Sequence, residues 1–270
     1  MTEQNRLQKL FEEYFADRCP ICQGSKWIMR DGLAERCSCF QAQMETHRLD
    51  FAGIPASYQH CTLEKFTPQN QAQRDAKAFL ERFTLNFEMP ELLGKGILFR
   101  GPVGVGKTHL AVSVLKRLIE KGFTGKFFNF VHLLEQIKQS FNPELEAEEP
   151  HLPRLLARCH VVVLDELGAS RPTEFVFNKL YDIVNYCFDR KISVIFTTNY
   201  LDKPDLGRSI ATEGPDGASP DGLRSVSGAA PSLHTLAERI NPRLYSRIME
   251  HCIDITLGGP DYRLRHKKKN

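Results

Sequence analysis

Apolar residues in this chain recur at two periods, and the alternation between them outlines an architecture. Leu7, Leu10, Phe11, Tyr14 and Phe15 fall at i, i+3, i+4, i+7 and i+8 with acids and amides between them, which predicts a short amphipathic helix within residues 1–18. Such a face needs cover, from the chain's own domain or from a partner protein. A second helical stripe follows at Ala76, Phe79, Leu80, Phe83 and Phe87. Between them lie a cysteine segment and a connector over residues 51–70, around Ile54-Pro55-Ala56-Ser57. From residue 71 onward the pattern alternates. Short apolar runs at 96–99, 126–130, 161–164, 193–197 and 253–257 read as strands, and helical patterns occupy 109–121, 131–141, 174–188 and 236–249. Strands alternating with helices predict an α/β fold, a parallel sheet covered by helices on both faces.

Two stretches interrupt this order. Residues 142–150 are acidic and turn-rich, and residues 203–232 carry five glycines, four prolines and no aromatic residue. Neither buries enough apolar surface to order itself, so both are expected to be flexible, the second as an insertion in the domain spanning 71–270.

The 270 residues suffice for one nucleotide-binding-sized domain with a small N-terminal module over residues 1–50. Hydrophobic content of 41% and charged content of 26% are those of a globular chain. A net charge of +3 argues for no polyanionic partner, although Arg263, Arg265, His266, Lys267, Lys268 and Lys269 gather positive charge in what reads as a solvated tail. No apolar run approaches the roughly 20 residues of a membrane span, and no signal-peptide pattern opens the chain, so a cytoplasmic protein with no membrane partner is expected. Eight cysteines in a reducing compartment then matter through their spacing rather than as disulfides.

Candidate chemistry centres on Gly101, Pro102, Val103, Gly104, Val105, Gly106, Lys107 and Thr108, which match G-x-x-x-x-G-K-[ST] between a strand and a helix. Glycines let backbone N–H groups curl around phosphates, and the first turn of the helix, where His109 follows, adds partial positive charge. Lys107 is placed to reach the terminal phosphates of ATP and the Thr108 hydroxyl to ligate Mg²⁺. Downstream, Val161-Val-Val-Leu-Asp165-Glu166 is an apolar strand ending in two acids. Adjacent residues at a strand end point apart, which suits Asp165 to Mg²⁺, through water, and Glu166 to polarising the attacking water; the alternative is an acid capping the next helix. Asn199 ends another apolar strand at the same sheet edge and either orients water or phosphate or simply forms a turn.

These pieces together resemble AAA+ ATPases of the DnaC/IstB type, the helicase loaders and transposition helper ATPases. The resemblance is carried by GPVGVGKTHLA from Gly101, VLDELG from Val163, TTNY from Thr197 and RINPRLYSRIME from Arg239, and it covers the chain from about Tyr58 onward. It implies a three-layer AAA+ P-loop ATPase core, with Asp165 and Glu166 as the paired acids and Asn199 as the first sensor. It further implies that Arg247 completes the ATP site of a neighbouring subunit, making hydrolysis depend on self-association, with Arg243 one helical turn before it. Arg263 resembles a second sensor. About a dozen residues follow the last strand, so no full helical lid domain is expected. Residues 203–232 exceed the shorter link usual in that family.

Cys19-Pro-Ile-Cys22 and Cys37-Ser-Cys39, 14 residues apart, offer four soft ligands and suit tetrahedral, structural Zn²⁺; an iron–sulfur cluster or a thiol pair remain open alternatives. Cys61, Cys159, Cys187 and Cys252 read as packing residues. Trp27, between the cysteine pairs, covers the metal site or stacks on a base. Zinc-bearing N-terminal segments occur among helicase loaders, where that part engages the replicative helicase. The resemblance therefore implies an ATP-dependent replication factor that binds single-stranded DNA near residues 130–141 and a replicative helicase. A transposase-assisting ATPase and a module that holds ATP without turnover are the alternatives.

Overall fold

The computed structural model describes residues 19–139, 151–201 and 235–263. The helix expected within residues 1–18, the acidic stretch 142–150, the insertion 203–232 and the basic run from Arg265 onward all lie outside the described residues. The chain divides into two compact units between Asp50 and Phe51.

In the first unit, the Cys19–Cys22 turn is closed by backbone N–H groups of Gln23 and Ser25 donating to the carbonyls of Cys19 and Cys22 at 2.8 and 2.9 Å. A hairpin follows, β1 (Trp27–Arg30) antiparallel to β2 (Leu33–Arg36), joined by Asp31 and Gly32 at φ 51° and 81°. Two left-handed residues give the tight turn whose twist matches the strands. Helix α1 (Ser38–Ala52) comes next. The hydrophobic pattern gave no sign of either element: β2 is exposed throughout, and Ala52 is the one buried residue of α1.

The second unit is built on five parallel strands in the order β4-β5-β6-β3-β7: β3 (Gly96–Arg100), β4 (Gly125–Asn129), β5 (Val161–Asp165), β6 (Ser193–Thr198) and β7 (Cys252–Thr256). Helices connect them: α2 (Gln71–Leu85), α3 (Lys107–Glu120), α4 (Phe130–Gln139), α5 (His151–Leu156), α6 (Glu174–Asp189), α7 (Leu236–Ile240) and α8 (Pro242–His251). Leu98, Val162, Leu164 and Phe196 point to a core closed by α4, α6, α7 and α8. Their strand neighbours Ile97, Phe99, Val163 and Ile195 are equally buried, so both faces are covered.

The helix expected over 236–249 is two helices. Asn241, at φ 75°, ends the first and caps the second by accepting from the Arg243 N–H, and Pro242 starts α8 where a missing N–H costs nothing. Leu236, Ile240, Leu244 and Ile248 are all buried four residues apart, so the stripe continues across the break and hides it. The strand expected over 126–130 ends at Asn129, and Phe130 opens α4. At the C-terminal end of β3, Arg100 is 1% exposed and held by Asp254 of β7 at 2.9 Å. Among the described residues, no helix is long and apolar enough to cross a membrane.

Candidate functional site

Parallel strands bring their C-terminal ends to one edge, and register places Asn129 beside Asp165 and Arg100 beside Thr198 there. The loop 101–108 leaves β3 at this edge. Gly101, Gly104 and Gly106 hold φ of 138°, 78° and 98°. A Cβ would strike the Leu257 carbonyl at Gly101, the Asp261 carboxylate at Gly104 and, at 2.6 Å, the Phe66 ring at Gly106. Backbone conformation therefore favours glycine at all three, and space requires it at Gly101 and Gly106, whereas the Asp261 carboxylate at Gly104 could swing aside. The segment after β7 returns along the loop, the Tyr262 N–H donating to the Gly104 carbonyl at 3.1 Å.

Lys107 is 7% exposed and folds back on the loop, its Nζ donating to the carbonyls of Gly101 and Pro102 at 2.8 and 2.6 Å. Burial pushes its pKa down to about 8, against the attraction of Asp165. Asp165 is 2% exposed, and one oxygen, Oδ1, accepts from Thr108 Oγ1 at 2.8 Å and Thr197 Oγ1 at 2.6 Å. Burial raises its carboxyl pKa while the two hydroxyls hold it down. Thr197 also accepts from the Glu166 N–H at 3.0 Å, and Thr198 donates to the Leu167 carbonyl at 2.8 Å. Glu166 sits at φ 62°, a conformation that costs a side-chain-bearing residue about 1–3 kcal/mol and persists because β6 pins the turn. Its carboxylate is exposed, accepting from Asn129 Nδ2 at 3.0 Å.

A cavity of about 640 Å³ opens over these groups, bounded by Val103 to His109, Glu166, Asn199, Arg263 and the connector residues Tyr58 and Phe66. Of the residues singled out from the sequence, Gly101 and Pro102 supply carbonyls to Lys107, and Asp165 lies buried against Thr108. Asn199 stands exposed on the wall. His109 is half-buried, and burial lowers its pKa. The fold does not bring Arg243 and Arg247 to this cavity. Arg243 lies over the Tyr181 ring at 4.9 Å; Arg247 donates to Asn185 at 3.1 Å and Glu250 at 2.7 Å.

Three residues with parts in the site were not singled out individually. Thr197 links the two acids. Asn129 holds the Glu166 carboxylate; the apolar run 126–130 places it inside a strand, and only the end of β4 at Asn129 makes it a polar closing residue like Asn199. Arg239 donates to the carbonyls of Gly168 and Ala169 at 2.8 and 3.0 Å, tying α7 to the turn after Glu166.

In the first unit Cys19 and Cys37 approach to 3.7 Å and Cys22 and Cys39 to 3.4 Å between sulfurs, and all four sulfurs lie within 4.8 Å of one another. Four converging thiols are the donor set of a tetrahedral soft-metal site. Trp27 stays 47% exposed, with the Arg36 guanidinium 3.8 Å from its ring centre.

Residues 7–203 match the family model described as IstB-like ATP binding protein. The chain is 25% identical over 207 residues to the ATP-binding protein of insertion sequence IS5376 from Geobacillus stearothermophilus, covering 77% of this chain and 69% of that protein. It is 26% identical over 159 residues to the replicative helicase loader DnaC of Escherichia coli strain K12, covering 57% of this chain and 60% of the loader. Among solved structures, the DnaC helicase loader superposes with a TM-score of 0.57 at 29% identity, over 75% of this chain and 99% of that one. DnaI shares the fold, with a TM-score of 0.54 at 18% identity.

Proposed function

The chain belongs to the IstB-like ATP-binding protein family, and on that footing we propose that it binds and hydrolyses ATP to load a replicative helicase onto single-stranded DNA. One observation carries the nucleotide chemistry: Thr108 and Asp165 meet at 2.8 Å beneath the glycine loop, with the exposed Glu166 carboxylate beside them on the same cavity. Backbone N–H groups of the loop hold the phosphates, and Lys107 exchanges two loop carbonyls for phosphate oxygens. Thr108 and Asp165 are hard oxygen donors that fit Mg²⁺, an ion that neutralises phosphate charge when bound. Glu166 takes the proton of the attacking water, and Asn199 orients that water.

Arg247 stands outside the cavity in its own chain, which is the placement required of a residue supplied to a neighbouring subunit's ATP site; Arg243 lies one turn before it, and Arg263 stays in cis on the cavity wall. Cys19, Cys22, Cys37 and Cys39 would hold Zn²⁺, whose binding stabilises a module with little buried apolar surface. Helicase loading is favoured by the similarity to the DnaC loader along 99% of its solved chain. A second reading, a helper ATPase for a transposase, is favoured by the similarity to the insertion-sequence protein. Size-exclusion chromatography of the purified protein with its host's replicative helicase, with and without ATP, separates them. Co-elution that responds to ATP is expected; no association in either condition, with binding to a transposase instead, overturns the loader reading.

A further inference from the structure

Beside the phosphate loop, three side chains of the second unit converge in a way that ATP handling does not use. His60, Cys61 and His109 place their ligand atoms within 4.8 Å of one another, with the Cys61 sulfur 3.8 Å from His60 Nε2. Cys61 is 2% exposed, His60 is exposed, and all three line the 640 Å³ cavity. Ring packing accounts for part of the arrangement, since His109 lies 5.5 Å from the Phe66 ring and 6.3 Å from that of His60. Packing does not account for the polar end of His109. Its Nε2 meets the Thr62 carbonyl at 2.9 Å, and a carbonyl can only accept, so the neutral ring carries its proton on Nε2 and its lone pair, the one a metal would take, on Nδ1. An imidazole that gives one N–H to a backbone carbonyl and offers its other nitrogen is the second-shell pattern of metal-ligating histidines. One short stretch, residues 60–62, thus supplies two ligands and the carbonyl that orients the third.

We propose that His60, Cys61 and His109 form a second metal site, distinct from the four-cysteine cluster, that takes a borderline-soft divalent cation such as Zn²⁺ and leaves a fourth position open to the cavity. Two imidazoles and a thiolate are ligands such a cation selects over Mg²⁺, and three protein ligands with an open fourth is a stable coordination for it. The site stands whether or not the chain hydrolyses ATP. The test uses the full-length protein, stripped with a chelator under reducing conditions and titrated with Zn²⁺ against a chromophoric chelator, then with Co²⁺. Wild type should take up one more equivalent of Zn²⁺ than His60→Ala or His109→Gln. Cys61→Ser should lose one increment of the Co²⁺–thiolate charge-transfer band. Equal uptake by wild type and a folded His60→Ala, matched in circular dichroism, overturns the proposal whatever number of ions the four-cysteine cluster holds. His60 is exposed, so that variant decides the question even if Cys61→Ser does not fold.

Discussion

Replacing Thr197 by Val removes one hydroxyl that serves both acids of the site. The hydroxyl donates to Asp165 Oδ1 at 2.6 Å and accepts from the Glu166 N–H at 3.0 Å, and the residue is 1% exposed. Valine fills nearly the same volume, so no cavity forms and the loss is that of the hydrogen bonds. A bond to a charged acceptor is worth about 1.5–3 kcal/mol. If the whole of that falls on the barrier, turnover drops about 10- to 150-fold. Whatever part of the bond is already felt in the resting state appears instead as a lower unfolding free energy, read from urea titrations, so the two losses together should come to about 1.5–3 kcal/mol. Losing a donor also raises the Asp165 pKa further beyond the elevation that burial imposes, so the acid limb of the turnover–pH profile moves to higher pH. Thr197→Ser keeps the hydroxyl and should retain turnover within about threefold. The assay is steady-state ATP hydrolysis between pH 5 and 8 for wild type and both variants. A folded Thr197→Val with wild-type turnover and an unmoved acid limb would refute the linkage; equal failure of Val and Ser would shift the cause to the methyl packing.

Four further changes test neighbouring parts of the site. Burial holds the Lys107 pKa at about 8, so ATP affinity of the nucleotide-free protein should weaken as pH climbs through that value; constant affinity from pH 7 to 9 in calorimetry contradicts it. Asp165→Asn should abolish turnover yet raise the melting temperature of the nucleotide-free protein at neutral pH. A carboxyl whose pKa is raised on folding costs stability above that pKa, so the gain should fade in acid, and an Asn variant that melts below wild type at neutral pH rejects this reading. Asn129→Ala frees the Glu166 carboxylate from a solvent-exposed hydrogen bond that water largely replaces, leaving about 0.5–1.5 kcal/mol, and basal hydrolysis should rise about 2- to 10-fold; a fall would mean that Asn129 assists rather than restrains Glu166. Arg247→Ala should cut turnover on the order of 10³-fold at high protein concentration. Its ion pair with Glu250 is solvent-screened and its other partner is Asn185, so the variant should stay folded; normal hydrolysis by it removes Arg247 from the neighbouring site.

Much of the site was legible because its signals are local. The glycine loop needs three left-handed backbone conformations and two close approaches, at Gly101 and Gly106, that favour glycine, and those glycines stand within six consecutive residues, 101–106. Asp165 and Glu166 follow an apolar run that must be a buried strand, so the sequence both named the acids and put them at the sheet edge. The first unit was less legible. Its strands and helix bury almost nothing, so no periodicity marks them, and the hairpin is written only in the two-residue turn Asp31-Gly32.

What the sequence determined by itself was therefore whatever depends on period and spacing: the parallel α/β order, the phosphate loop, the acids and the four-cysteine cluster. The tertiary structure decided the pairings between strands. Parallel neighbours come together only after a crossover, so Thr197 reaches Asp165 and Glu166 across 32 and 31 residues and Asn129 reaches Glu166 across 37. Arg100, which follows the apolar run 96–99, is buried with its charge met by Asp254 on β7, 154 residues later. Cys61 reads as a packing residue from the sequence and is buried, and only the fold sets His109 against it. Sequence distance of this size carries no local signal; only the sheet register and the closure of the connector over the loop bring such groups within hydrogen-bonding or ligand distance.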